Sequence, residues 1–328
     1  MRPTKTGGTG GPQKRHPPNR RKTMSAEPID QVIELLKQAD MGREGLSLED
    51  RRASMDAMAA AFGEPQGVSR DHTELAGRPA QVFKPAGKEP EHTLLYFHGG
   101  GYVMGSPDSH ANLTARFATA ADARVISFDY RLAPENPFPA AVEDGVAAYK
   151  ALLDEGVLPA KLAVGGDSAG GGLTFATLLK ARDMGLPMPA AAIGLSPWTD
   201  LTGRSETYKT RADADPMIEP AGITQTGQEY LGGASAEDPL ASPLLADLAG
   251  LPPLFLQVGD AEVLLDDSRE FEKKARAAGV DCKLEVWDRM IHVWHAFFPM
   301  LPEGEQAIDG LAAFLKVRWR QEATAQAI

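Results

Sequence analysis

One stretch restricts the fold more than any other. The apolar run Leu162-Ala163-Val164 leads straight into Gly165-Gly166-Asp167-Ser168-Ala169-Gly170-Gly171-Gly172, and the helix-forming LTFATLLKAR follows. Glycine adopts backbone conformations that a Cβ forbids, so here a short strand is expected to turn sharply into a helix with Ser168 at the apex. The helix starting behind that serine presents unpaired N–H groups and positive potential to whatever sits there. A plainer reading stands beside it: a glycine-rich strand-to-helix turn in which Ser168 only caps the helix.

The same strand-then-helix rhythm extends over most of the chain. Short β-type runs at 93–97, 124–130, 162–164, 191–196, 253–259 and 282–287 alternate with helical patterns after Pro107, from about 138 to 155, after Ser168, and around 267–278 and 303–320. Strands that are apolar throughout and separated by helices imply a mostly parallel sheet buried on both faces, an α/β fold. Two segments break the rhythm. Residues 24–70 read as helical, with apolar residues three or four apart in IDQVIELLKQ and LEDRRASMDAMAAAF. Residues 204–233 read as a polar and helical insertion between two strands. The expected organisation is a basic leader at 1–23, N-terminal cap helices at 24–70, a core split between 71–203 and 234–322, and a cap insertion at 204–233.

Charge narrows the choice of partners. Residues 1–23 hold seven Lys or Arg and no acid, leaving 27 basic against 45 acidic residues in the remainder. An acidic body argues against nucleic acid or an anionic membrane as the main partner. The leader, rich in Gly, Pro and charge, reads as a disordered tail or an added extension, with Met24 as a natural second beginning. It has no apolar h-region, and no run of about 18 apolar residues occurs to span a bilayer, so a cytoplasmic protein is expected. The single cysteine, Cys282, cannot form an internal disulfide and reads as a packed strand thiol.

Three further pieces bear on chemistry. His98-Gly99-Gly100-Gly101 follows the apolar strand TLLYF, and successive glycines let backbone amides approach a ligand closely and point the same way. Gly99, Gly101 and Gly105 also imitate a dinucleotide-binding run with Asp129 at the end of the next strand, but Pro107 delays the helix that should begin inside the glycines. A serine nucleophile needs a base, and the base an orienting acid. Asp260 and Glu262 lie beyond one late strand; His292 and His295 lie beyond the last. The order serine, acid, histidine is the one an α/β-hydrolase uses. Asp266 and Asp267 read as caps of the following helix, Asp167 as an anchor of the serine turn, and Asp129, Arg131 and Glu135 as a structural charge network. Met217, Tyr208 and Tyr230 of the insertion line a pocket or pack the lid.

The blocks HGGG, DYRLAPENPFPAAVED, GGDSAGG, SPWTDL, DPLASPLLADLAGLPP and MIH, in this order between about Phe97 and Ala296, resemble the bacterial hormone-sensitive-lipase family of serine esterases. The resemblance implies an α/β-hydrolase fold with a helical cap and a carboxylesterase acting on short-to-medium acyl esters. By the match of motifs it implies Ser168 as nucleophile, His292 as base, and the amides of Gly100, Gly101 and Ala169 as oxyanion donors, with His98 propping the glycine loop. The acid departs from the usual family aspartate: ungapped, that position falls on Glu262, with Asp260 as its rival. His295 is read as packing against Trp294 and Phe297. No metal and no organic cofactor are expected; the partner is a small-molecule ester, the assembly a monomer or homodimer. A relative that binds a ligand without turnover would typically lack a triad member, and here all three residue types are present.

Overall fold

The structure, a computed structural model, describes residues 27–39 and 46–325; the basic leader at 1–23 lies outside them. Among the described residues eight strands form one sheet: β1 (Val68–Leu75), β2 (Arg78–Pro85), β3 (Thr93–Phe97), β4 (Arg124–Phe128), β5 (Leu162–Asp167), β6 (Ala191–Leu195), β7 (Leu254–Gly259) and β8 (Cys282–Trp287). Their order across the sheet is β1-β2-β4-β3-β5-β6-β7-β8. Strands β3 to β8 run parallel, while β2 pairs antiparallel with both β1 and β4. The helices are α1 (Pro28–Ala39), α2 (Leu48–Ala60), α3 (Ala111–Ala121), α4 (Ala140–Asp154), α5 (Ala169–Asp183), α6 (Thr207–Thr210), α7 (Pro220–Leu231), α8 (Leu265–Ala277) and α9 (Pro302–Ala325).

Alternation along each strand sends neighbouring side chains to opposite faces, and both faces are covered. Leu95 and Phe97 of β3 pack with residues of α4, α5 and α8, whereas Leu94 and Tyr96 pack with α3 and α9. This explains why the central strands are apolar except at their ends, Thr93 in β3 and Asp167 in β5: all five residues of β3 and all six of β5 are buried.

The hairpin β1–β2 departs from the sequence reading, which runs helical character to residue 70 and begins the sheet at 93. Strand β1 is an edge strand with only Leu75 fully buried, so it lacks the apolar alternation that announces a strand. Its turn is formed by Ala76 and Gly77, both left-handed at φ 52° and 75°, as a tight two-residue hairpin requires.

A third apolar cluster joins Ile29, Val32 and Leu36 of α1 to Met290, Ile291, Trp294 and Leu301. Arg289, between β8 and this cluster, pairs with Glu27 and with Asp30. Helix α1 therefore braces the loop that follows β8. Helix α2 has no fully buried residue; its Leu48 and Met58 pack at the margins of the apolar clusters, and its arginines add polar contacts. Arg51 bonds Glu229 of α7 at 2.8 Å, and Arg52 bonds Glu135 at 2.7 Å and the carbonyls of Val103 and Ala133 at 2.8 and 3.1 Å. Among the described residues no helix is long and apolar enough to cross a membrane.

Candidate active site

Strand β5 ends at Asp167 and α5 begins at Ala169, leaving Ser168 alone at the turn with φ 50° and ψ −120°. A non-glycine residue holds such a conformation only where its surroundings over-determine it. Here Ser168 N–H donates to Leu195 O at 2.9 Å, while Ser168 O accepts from Trp198 N–H at 2.9 Å and Gly172 N–H at 3.1 Å. A Cβ on Gly166 or Gly170 would collide with the carbonyl of Phe97, so these glycines let two strand ends and a helix start meet. The hydroxyl makes no capping bond to α5, which sets aside the helix-cap reading of this serine. Ala169 N–H, the first of α5, has no acceptor within the helix.

Beside the elbow, at the end of β3, the glycine loop turns over it. Gly100 and Gly101 take φ 111° and 63°, and Gly100 O accepts from Val103 and Met104 N–H at 3.1 and 3.0 Å. Helix α3 starts only at Ala111, so the glycines do not open a helix as a dinucleotide site would need. Asp167 ties loop to elbow: it accepts from Tyr96 O–H at 2.9 Å, from Gly99 N–H at 3.1 Å and from His110 Nε2 at 3.3 Å. Burial opposes ionisation of both Asp167 and His110, but their mutual charge and hydrogen bond prevail, holding the carboxyl below and the imidazole above their usual values. His98 is fully buried, stacks on Tyr130 at 4.3 Å between centroids and contacts Gly99 O at 2.8 Å. Burial pushes its imidazole down to about 3, leaving a neutral support for the loop.

Beyond β7, Glu262 is fully buried and its Oε2 lies 2.7 Å from Nδ1 of His292. Its other oxygen accepts from Gly259 N–H at 2.6 Å and Ser196 O–H at 2.8 Å, and Ser196 Oγ accepts in turn from Val293 N–H at 3.1 Å. Asp260, the rival acid, instead accepts from Arg289 N–H at 2.7 Å. Burial disfavours the charged imidazole of His292, yet the bond and charge of Glu262, with Asp215 and Asp167 adding, hold it above the usual histidine value. His295 is buried against Trp294, 3.9 Å between centroids, and bonds Gln257 at 2.9 Å; burial takes it down to about 3. Ser168, His292, Gly100 and Gly101 line one cavity of about 610 Å³. No hydrogen bond joins Ser168 Oγ to the imidazole among the described residues; catalytic contacts of this kind tighten in the complex with substrate.

The cavity is roofed by α2 and by the segment from Met217 through α7, with Met55, Met58, Phe62, Met217, Ile218 and Phe297 among its apolar lining. Of the three insertion residues singled out in sequence, Met217 lines it, whereas Tyr230 stacks on Tyr102 and Tyr208 accepts from Trp198 Nε1–H, both buried. Two groupings expected from sequence are not found. Asp129, Arg131 and Glu135 do not pair with one another: Arg131 pairs with Asp144 and Glu143, and Glu135 with Arg52. Neither Asp266 nor Asp267 caps α8. Asp267 lies inside the first turn of α8, past the cap position at Leu264; it is buried and accepts from Thr199 and Asp200 N–H at 2.9 Å each, pinning the loop after β6. Cys282 is a buried strand thiol, pushed by burial up to about 12. Among the described residues no three His, Cys, Asp or Glu side chains are grouped as a metal would require. Ser196 opens the block SPWTDL, which had been given no role at the site, and Asp215 lies in none of the blocks singled out in the sequence.

Residues 94–296 match the family model of the alpha/beta hydrolase fold. An acetyl-hydrolase of Streptomyces hygroscopicus is 43% identical over 293 residues, 89% of this chain and 97% of that protein. An esterase of Acinetobacter venetianus is 33% identical, over 80% of this chain and 87% of its own. Among solved structures, an esterase from the bacterial hormone-sensitive lipase family superposes with a TM-score of 0.87 at 44% identity, over 90% of this chain and all of that one.

Proposed function

This chain belongs to the α/β-hydrolase family, among the bacterial hormone-sensitive-lipase esterases, and from that premise we propose that it hydrolyses short-to-medium acyl esters through an acyl-enzyme on Ser168. It is a carboxylic ester hydrolase. The observation that carries the finer reading is the 2.7 Å bond between buried Glu262 and His292, on the wall of the same cavity as Ser168.

In this mechanism the bond to Glu262 holds Nδ1 protonated, leaving Nε2 free to accept a proton. As Ser168 Oγ attacks the ester carbonyl, His292 takes its proton and the imidazolium is stabilised by Glu262. The negative charge that develops on the carbonyl oxygen is met by the amides of Gly100, Gly101 and Ala169, each of which contributes about 3 to 4 kcal/mol to the barrier if lost. His292 then protonates the leaving alcohol. Water, deprotonated by the same imidazole, hydrolyses the acyl-serine and restores the enzyme. Helix α2 and the segment from Met217 through α7 act as the cap, closing the cavity over the bound ester, while Val68–Arg70 of the expected cap belong to β1 of the sheet.

A preference for short acyl chains is supported by the roof, which encloses the cavity on the side of α2 and α7, and by the relative named acetyl-hydrolase. The test is hydrolysis of p-nitrophenyl esters from acetyl to dodecanoyl by the wild type and by Ser168→Ala. The rate should be highest among the short esters and fall by several powers of ten in the variant. Equal rates for the two proteins would end this account.

A further inference from the structure

The inserted segment reaches the acid arm of the site through one carboxylate. Asp215, between α6 and α7, is 8% exposed. One of its oxygens accepts from Met217 and Ile218 N–H at 2.9 and 3.0 Å; the other accepts from Val263 N–H at 3.0 Å. Val263 follows Glu262 directly. Its carbonyl is held from the same segment, by Thr207 O–H at 2.7 Å. Both polar groups of the residue after the acid are therefore fastened to the insertion, and Met217 and Ile218 line the substrate cavity.

We propose that Asp215 is a positioning residue for the reaction, tying the cavity wall at Met217 and Ile218 to the backbone that aims Glu262 at His292. The proposal rests on the esterase reading above. The arrangement has a mechanical and an electrostatic side. Mechanically, Glu262 reaches His292 from a turn whose next residue cannot shift unless the insertion shifts, so a substrate seated against Met217 and Ile218 presses on the same clamp that orients the base. Electrostatically, Asp215 acts on His292 together with Glu262 and Asp167, and the His292 charge acts on nearby His295; burial holds the Asp215 carboxyl above the usual aspartate value, opposed by the charge of His292. The negative charge of Asp215 favours the imidazolium, as does that of Glu262, although only Glu262 bonds the ring.

Asp215→Asn separates these contributions. Its amide oxygen still accepts from Met217 and Ile218, but the amide nitrogen now faces the Val263 N–H, and the charge is gone. For p-nitrophenyl acetate kcat should fall about tenfold to a hundredfold, the penalty of a slightly misaimed base. The acid limb of kcat/KM should move to lower pH by at least about half a unit, because a lost neighbouring anion makes the imidazole easier to deprotonate. A merely structural residue would lower the rate without moving the limb in that direction, so an unmoved limb overturns the proposal, as does a wild-type kcat. Should Asp215→Asn not fold, Asp215→Glu keeps the charge on an arm too long for the same three amides; it should lower kcat and leave the limb in place, and a wild-type kcat there also overturns the proposal. Ser168→Ala measured alongside keeps the two readings apart. If it retains hydrolysis, the esterase mechanism itself has failed; if it is inactive while Asp215→Asn matches the wild type, only the role of Asp215 has.

Discussion

Glu262→Gln tests the acid more sharply than truncation, because the surroundings dictate how the amide must sit. One oxygen of Glu262 receives two donors, Gly259 N–H at 2.6 Å and Ser196 O–H at 2.8 Å, while the other meets His292 Nδ1 at 2.7 Å. In the glutamine variant the two donors claim the amide oxygen, since an NH₂ group there would face two hydrogens at contact distance. The NH₂ is then left against Nδ1 and can bond it only if that nitrogen is unprotonated. The imidazole is driven to the tautomer with its proton on Nε2, the position that must accept the proton of Ser168. Geometry survives and function does not: kcat should fall by about 10³- to 10⁴-fold, a barrier increase of about 4 to 5.5 kcal/mol. Steady-state hydrolysis of p-nitrophenyl butyrate gives kcat, and a thermal melt of the same sample shows that the fold is kept. Asp260→Asn, which removes a charge but not the acceptor for Arg289 N–H, should stay within about twofold of wild type. A loss of less than tenfold in Glu262→Gln, or a larger loss in Asp260→Asn, would refute the reasoning.

Two other predictions concern what holds the site. Gly170→Ala would add a Cβ against the carbonyls of Phe97 and His98 and should destabilise by about 3 kcal/mol, whereas Gly222→Ala in α7 meets open space and should stabilise by about 0.5 to 1 kcal/mol; denaturant midpoints read both, and similar effects at the two positions would contradict the close-approach argument. His110→Gln leaves Asp167 buried without its cation and should cost about 3 to 5 kcal/mol near pH 5 to 6. The raised imidazole contributes fully below the ordinary histidine value and is lost as pH rises through its folded value, while the lowered carboxyl contributes above the ordinary aspartate value and is lost as pH falls through its own. The gap in stability between wild type and variant should therefore narrow on both sides of that window, and a gap independent of pH would count against the ion pair.

How much of this was legible beforehand follows from the range of each interaction. The central strands, the helices after them and the serine turn are written in contiguous residues, because a strand buried on both faces must be largely apolar and the serine turn needs glycines at 166 and 170, where a Cβ would meet the Phe97 carbonyl. The hairpin β1–β2 left no such trace, since an edge strand exposed along most of its length carries little apolar pattern. Asp266 and Asp267 stand where caps stand, yet Asp267 is claimed by two backbone amides some 67 positions away in the chain. Motif order could bring Ser168, an acid and His292 to one edge of the sheet, but it could not choose between Glu262 and Asp260, two residues apart in one turn.

From the amino-acid order came the layered α/β class, the serine turn and the glycine loop, consequences of burial period and local stereochemistry; the candidate serine, acid and histidine came from motif order and the family resemblance. The folded chain decided that Glu262 reaches the imidazole while Asp260 turns to Arg289, that Ser196 bonds the acid, and that Arg51 and Arg52 tie α2 over the cavity. Those outcomes depend on distances between segments far apart along the chain, and such distances exist only once the sheet has brought the loops to its carboxyl edge.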